Sequence, residues 1–141
     1  MRKAFTIALV SVLLLSACAG SVDGPVIEGK WRSGGTDADV HGEVELEGNC
    51  LYLMHPDADE RYPIVWPRGT SWDADESAVR LRDGTLVYPG DTISGGGGFP
   101  YASRLDDYTS AAGRELAGAC VDNTHDEIAV FNSGENLEVQ R

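Results

Sequence analysis

Basic residues are scarce. The 141-residue chain holds 11 Lys and Arg against 23 Asp and Glu, a formal net charge of −12, and only two of the eleven are lysines, Lys3 and Lys30. No cluster of Lys or Arg is present to neutralise phosphates, which excludes nucleic acid as a partner. Long hydrophobic runs are also missing: the longest, Ala4 to Leu15, is too short to span a bilayer. Paired Cys-x-x-Cys spacings are absent, which argues against a zinc ribbon or a thioredoxin-like redox motif. No Gly-x-Ser-x-Gly elbow occurs, and Gly69-Thr70-Ser71-Trp72-Asp73 lacks both the second glycine and its strand-turn-helix surroundings. There is no repeat of 20 to 50 residues.

What is present at the start of the chain is a short basic segment, Met1-Arg2-Lys3, then the apolar run, then Leu15-Ser16-Ala17-Cys18. These three parts in this order resemble the precursor of a bacterial lipoprotein, whose lipobox ends in the cysteine that is lipidated. The resemblance implies that residues 1–17 are a signal peptide that is removed. Cys18 then becomes a diacylglyceryl-modified first residue, and the protein an extracytoplasmic one anchored in the outer leaflet of the cell membrane. Two acyl chains make such an anchor stable where a single chain is marginal. Residues 18–29 are read as the lipidated cysteine and a short tether, and residues 30–141 as one β-rich domain. Removal of Arg2 and Lys3 leaves nine basic residues against 23 acidic ones, a net charge of −14. The preference for Arg over Lys, with abundant Asp and Gly, is typical of high-GC genomes such as actinobacteria.

With Cys18 committed to lipid, Cys50 and Cys120 have one possible pairing, and an exported compartment permits it. That bridge closes a loop of about 70 residues, worth roughly 4 kcal/mol of chain entropy.

Beyond the tether the pattern is that of short strands separated by turns. Val44 and Leu46 alternate with glutamates and lead through Gly48-Asn49 into Cys50 to Met54, a hairpin. Tyr62 to Trp66 is a compact apolar run. Ala78 to Arg82 alternates again, and Asp83-Gly84 signals a hairpin into Thr85 to Tyr88. Asp91 to Ser94, Glu127 to Asn132 and Leu137 to Gln140 complete the strands. One helix is expected over about residues 107–117, capped by Asp106-Asp107, with Tyr108, Ala112 and Leu116 on one face. The fold class is mainly β, a small antiparallel barrel, OB-like or SH3-like, or a compact sandwich with one short helix.

Four glycines, Gly95 to Gly98, suggest a phosphate-cradling loop. Phe99-Pro100-Tyr101 follows them, however; Pro100 disfavours a helix there and no lysine is near. Their expected role is conformational: positive φ, a bulge, or close approach of strands.

The acidic tripeptides Asp37-Ala38-Asp39, Asp57-Ala58-Asp59 and Asp73-Ala74-Asp75 raise the question of calcium. The first imitates the opening of an EF-hand loop but has Gly48 where a bidentate glutamate is required. Asp73, Asp75 and Glu76, or Asp57, Asp59 and Glu60, remain as a loose and weak calcium site, and no other cofactor is indicated. His41, His55 and His125 have no metal-ligand spacing.

The most individual stretch runs from Tyr62 to Trp72. Trp66 and Trp72 are expected either in the core or as a flat platform for a sugar or peptide, with Arg68 as a polar handle. This stretch, the Asp83-Gly84 turn and the glycine run together resemble small actinobacterial lipoproteins, a likeness that carries no activity with it. The functional expectation is therefore a non-enzymatic envelope lipoprotein that binds a ligand or partner. The alternative is a small envelope hydrolase using carboxylates or a bound metal.

Overall fold

A computed structural model of the chain describes residues 24–122 and 126–141; residues 1–17, read above as a signal peptide, Cys18 and His125 lie outside them. The expected hairpin is present as β2 (Ala38–Glu47) and β3 (Cys50–Met54), in register Val44 to Leu53 and Leu46 to Leu51. β4 (Arg61–Trp66) continues the meander antiparallel to β3. Three short strands, β5 (Ser71–Asp73), β6 (Ala78–Arg80) and β7 (Leu86–Val87), form a separate antiparallel sheet. β8 (Thr92–Gly98) then pairs along β2, from Ala38 opposite Gly97 to Glu43 opposite Thr92. β9 (Ala129–Phe131) closes the ring, antiparallel to β8 and parallel to β4, and β10 (Glu138–Gln140) extends the other half of the same β8 edge.

Five strands, β2, β3, β4, β9 and β8, thus form a closed barrel in a mainly β protein. Taken around the barrel alone, first, second and third strands are neighbours, the third meets the fifth in parallel, and the fifth meets the fourth. This is the OB-like arrangement, so the barrel has one parallel seam where an all-antiparallel one was expected.

The apolar run of β4 owes its continuity to burial on both faces. Ile64 and Trp66 point into the barrel with Val44, Leu51, Leu53, Ile93 and Phe131. Val65 faces outward into a second cluster with Ile27, Leu105, Tyr108, Ala117 and Val130. That outer layer is built by a 3-10 helix (Ala102–Asp107) and by α1 (Ala111–Cys120).

One boundary differs from the sequence reading. Ser110, not Asp106 or Asp107, caps α1, its hydroxyl accepting from the Gly113 N–H at 3.2 Å. Asp106 and Asp107 belong to the preceding 3-10 helix, where they pair with Arg114 and Arg104. Within α1 the buried residues are Gly113, Ala117 and Cys120, with Leu116 partly buried beside them, while Tyr108 is buried in the same outer cluster but precedes the helix. The end of the segment read as a tether, residues 18–29, is packed on the barrel. Val26 and Ile27 are buried, and β1 (Ile27–Glu28) pairs in parallel with Val65 and Trp66, because two adjacent apolar residues suit the opposite faces of a covered strand.

Cys50 and Cys120 are bonded, their Cα atoms 5.6 Å apart, so the end of α1 is fixed to the start of β3. The Tyr52 hydroxyl donates to the Cys120 carbonyl at 2.9 Å and adds a second tie at the same point.

Candidate functional site

The segment that leads into β1 and leaves it lies along a groove. Its backbone is fixed on both sides: the Gly29 N–H donates to the Trp66 carbonyl, and the Lys30 N–H to that of Tyr108, both at 2.8 Å. The Thr109 hydroxyl donates to the Glu28 carbonyl at 2.7 Å. The Glu28 carboxylate accepts from the Gly69 N–H at 3.1 Å, which straps the Pro67 to Thr70 turn against β1. A cleft of about 390 Å³ opens between Glu28, Thr70, Trp72 and the start of α1 at Ser110. A second, of about 330 Å³, adjoins it along Lys30, Trp31 and Arg68, and the two share Glu28 and Ser110.

Trp72 is half-buried, packed on the barrel core with one face toward the groove. Trp31 stands at the other end with 62% of its surface exposed. Arg68 is exposed between them, and Lys30 donates its ammonium to the Asp106 carbonyl. Aromatic walls with two cations, hydroxyls and one carboxylate suit a ligand that is partly apolar and partly polar.

Of the tryptophan platform expected from sequence, Trp72 and Arg68 are brought to one groove and Trp66 is not. Trp66 is 0% exposed, its ring 6.5 Å from that of Phe131 inside the barrel, so it cannot present a face to a ligand. The barrel interior needs a side chain of that volume, and strand alternation places residue 66 inward with Ile64. Trp31 supplies the second aromatic in its place. The signal for it lay in Lys30-Trp31-Arg32, an aromatic between two cations in a chain almost devoid of lysine. Arg32 itself stacks over the Tyr108 ring at 4.2 Å.

Carboxylates considered for calcium make contacts within the protein. Asp73 pairs with Arg80 and accepts from the Glu76 N–H at 3.0 Å, and the Arg80 hydrogen bond holds its carboxyl below the usual range. The Glu76 carboxylate accepts from the Tyr88 hydroxyl at 3.0 Å, and Asp75 is left as exposed turn. These side chains knit β5, β6 and the strand ends around them. Asp57 and Asp59 likewise sit in a turn, and Glu60 accepts from the Tyr62 hydroxyl. Among the described residues no three His, Cys, Asp or Glu side chains are placed to hold a metal ion, although the His41 and His55 rings come within 5.5 Å.

No family model, curated protein or solved structure matches this chain.

The Glu60 contact has a consequence for pH. Hydrogen bonding to the Glu60 carboxylate, and then partial burial, push the Tyr62 phenol up to about 12. The native state therefore holds this proton more tightly than the unfolded chain. The associated stability is complete below about pH 10 and is lost as pH rises toward 12. Tyr52 and Tyr88 are also raised, so difference absorbance of phenolate formation is expected to show a late component, of which the Tyr62 part titrates earlier in Glu60→Gln. An unchanged titration curve in that variant refutes the assignment.

Proposed function

We propose that this chain is a lipid-anchored, extracytoplasmic barrel that binds a ligand or partner of the bacterial envelope in the groove between Trp72 and Trp31, in a binding rather than a catalytic role. The observation that carries this reading is the continuity of the two clefts along β1, with an aromatic at each end and Arg68 and Lys30 between. Anchoring rests on the lipobox resemblance of Leu15 to Cys18 and on the pairing of Cys50 with Cys120, which suits an oxidising compartment.

A photoreactive phenylalanine analogue at the exposed Ser71, beside the groove, is expected to give adducts in intact membranes. The same residue at the exposed Asn49 is not, since it lies beyond the far end of α1, about 15 Å along that helix. Equal adducts from both positions, or none from Ser71, overturn the site. Loss of fatty-acid labelling in Cys18→Ser is the expected outcome for the anchor, and undiminished labelling overturns it.

A further inference from the structure

We propose that the occupant of this groove is the membrane itself: that Trp31, Lys30 and Arg68, with Trp72 behind them, rest on the headgroup layer of anionic phospholipid. The inference builds on the anchored reading above and names its partner.

The first reason is reach. The backbone at Gly24 lies against the Trp72 ring, so closely that a Cβ there would sit 2.4 Å from Trp72 Cδ1. The chain thus enters the barrel at the groove. Cys18 precedes Gly24 by six residues, a span of at most about 21 Å at full extension. A lipid on Cys18 therefore holds the Trp72 end of the groove within about 21 Å of the bilayer surface.

The second reason is chemistry. Tryptophan favours the interface between water and hydrocarbon because its ring is apolar and its N–H polar. Trp31 is one of two large hydrophobic side chains left well exposed among the described residues. It is flanked by Lys30 and Arg32 in sequence and lines one cleft with Arg68. The one carboxylate there, Glu28, is already hydrogen-bonded to the Gly69 N–H. In a mature chain of net charge −14, an anionic bilayer repels most of the surface and attracts this cationic, aromatic edge. The tether and the field select the same face.

Full-length protein purified from membranes, its Cys18 lipid read from the intact mass, is reconstituted in vesicles of phosphatidylglycerol with brominated acyl chains. Tryptophan fluorescence is expected to be quenched, with most of the quenching lost in Trp31→Phe. Trp66 stays unquenched inside the barrel in either protein. Lys30→Glu combined with Arg68→Glu is expected to reduce quenching while leaving the circular dichroism and melting temperature as they were. A lipidated, folded protein whose quenching is the same in Trp31→Phe overturns the orientation but not the anchor. Equal quenching in brominated phosphatidylcholine overturns the anionic partner. A chain without lipid overturns the anchored reading and this inference together, whereas Ser71 adducts to a protein or glycan and none to phospholipid leave the groove in place and overturn the membrane as its occupant.

Discussion

Gly97→Ala is expected to destabilise the protein by roughly 3 kcal/mol or more, at the upper end of what overpacking costs. A Cβ at residue 97 would lie 2.0 Å from the Val130 carbonyl oxygen and 3.0 Å from the Phe131 Cα, both backbone atoms of β9. Nothing there can rotate away. The strand must move, and the pairing of Gly97 with Phe131 is part of the barrel's closure. Gly96→Ala is the control. Its Cβ would meet only the ends of the Asn132 and Glu135 side chains, at 3.0 Å, and the expected cost is about 1 kcal/mol or less. Thermal or urea unfolding reads the difference as a fall in melting temperature of roughly 10 °C or more for residue 97 and a small one for residue 96. Equal melting of the two variants would refute the close-approach account.

The second large effect is expected from the disulfide. Cys50→Ser with Cys120→Ser should lose about 2–4 kcal/mol, since the bond closes a separation of 70 residues. The loss should be felt first in α1, whose last residue is Cys120 and whose buried stripe is the small set Gly113, Ala117 and Cys120. So little apolar surface holds a 10-residue helix weakly once its covalent tie is gone. Hydrogen exchange of α1 amides is expected to accelerate more than that of β2 and β3, while the groove loses its Ser110 wall. Uniform acceleration throughout the barrel would show that the bond stabilises the whole unit equally and that α1 is not a separable layer.

Sequence patterns read the meander well because its signals are local. Glutamates alternating with Val44 and Leu46, a Gly-Asn turn and an apolar return need no knowledge of distant residues. The glycine run was legible only in part. Gly95 to Gly98 lie in extended β8, none of them among the glycines with positive φ, so of the conformations that glycine permits only close approach is used. Which atoms approach was hidden, since Val130 lies more than 30 residues downstream. The helix start was misplaced because acidic residues serve a 3-10 helix end as well as an α-helix cap. At the groove, Arg68 and Trp72 stood out through their own types. Trp66 misled because an isolated tryptophan carries no mark of which face of a strand it occupies. Trp31 sits in a Gly- and Ser-rich stretch without periodicity, and its relation to Trp72 depends on β1 joining the barrel, which two residues of pattern do not announce.

The parallel seam between β4 and β9 governs the order in which the molecule assembles. Ile64 meets Ala129, partners about 65 residues apart, whereas β2, β3 and β4 meet across short turns and can form at once. Closing the barrel is thus the slow, entropically costly event. With Cys50 joined to Cys120 the covalent path from Ile64 to Ala129 shortens to about 23 residues, which lowers the closure cost by roughly 1 kcal/mol. A chain that oxidises before it folds therefore brings its last seam within reach of its first hairpin. Reduced chains face the longer search, with the unpaired edges of β4 and β8 exposed while it lasts.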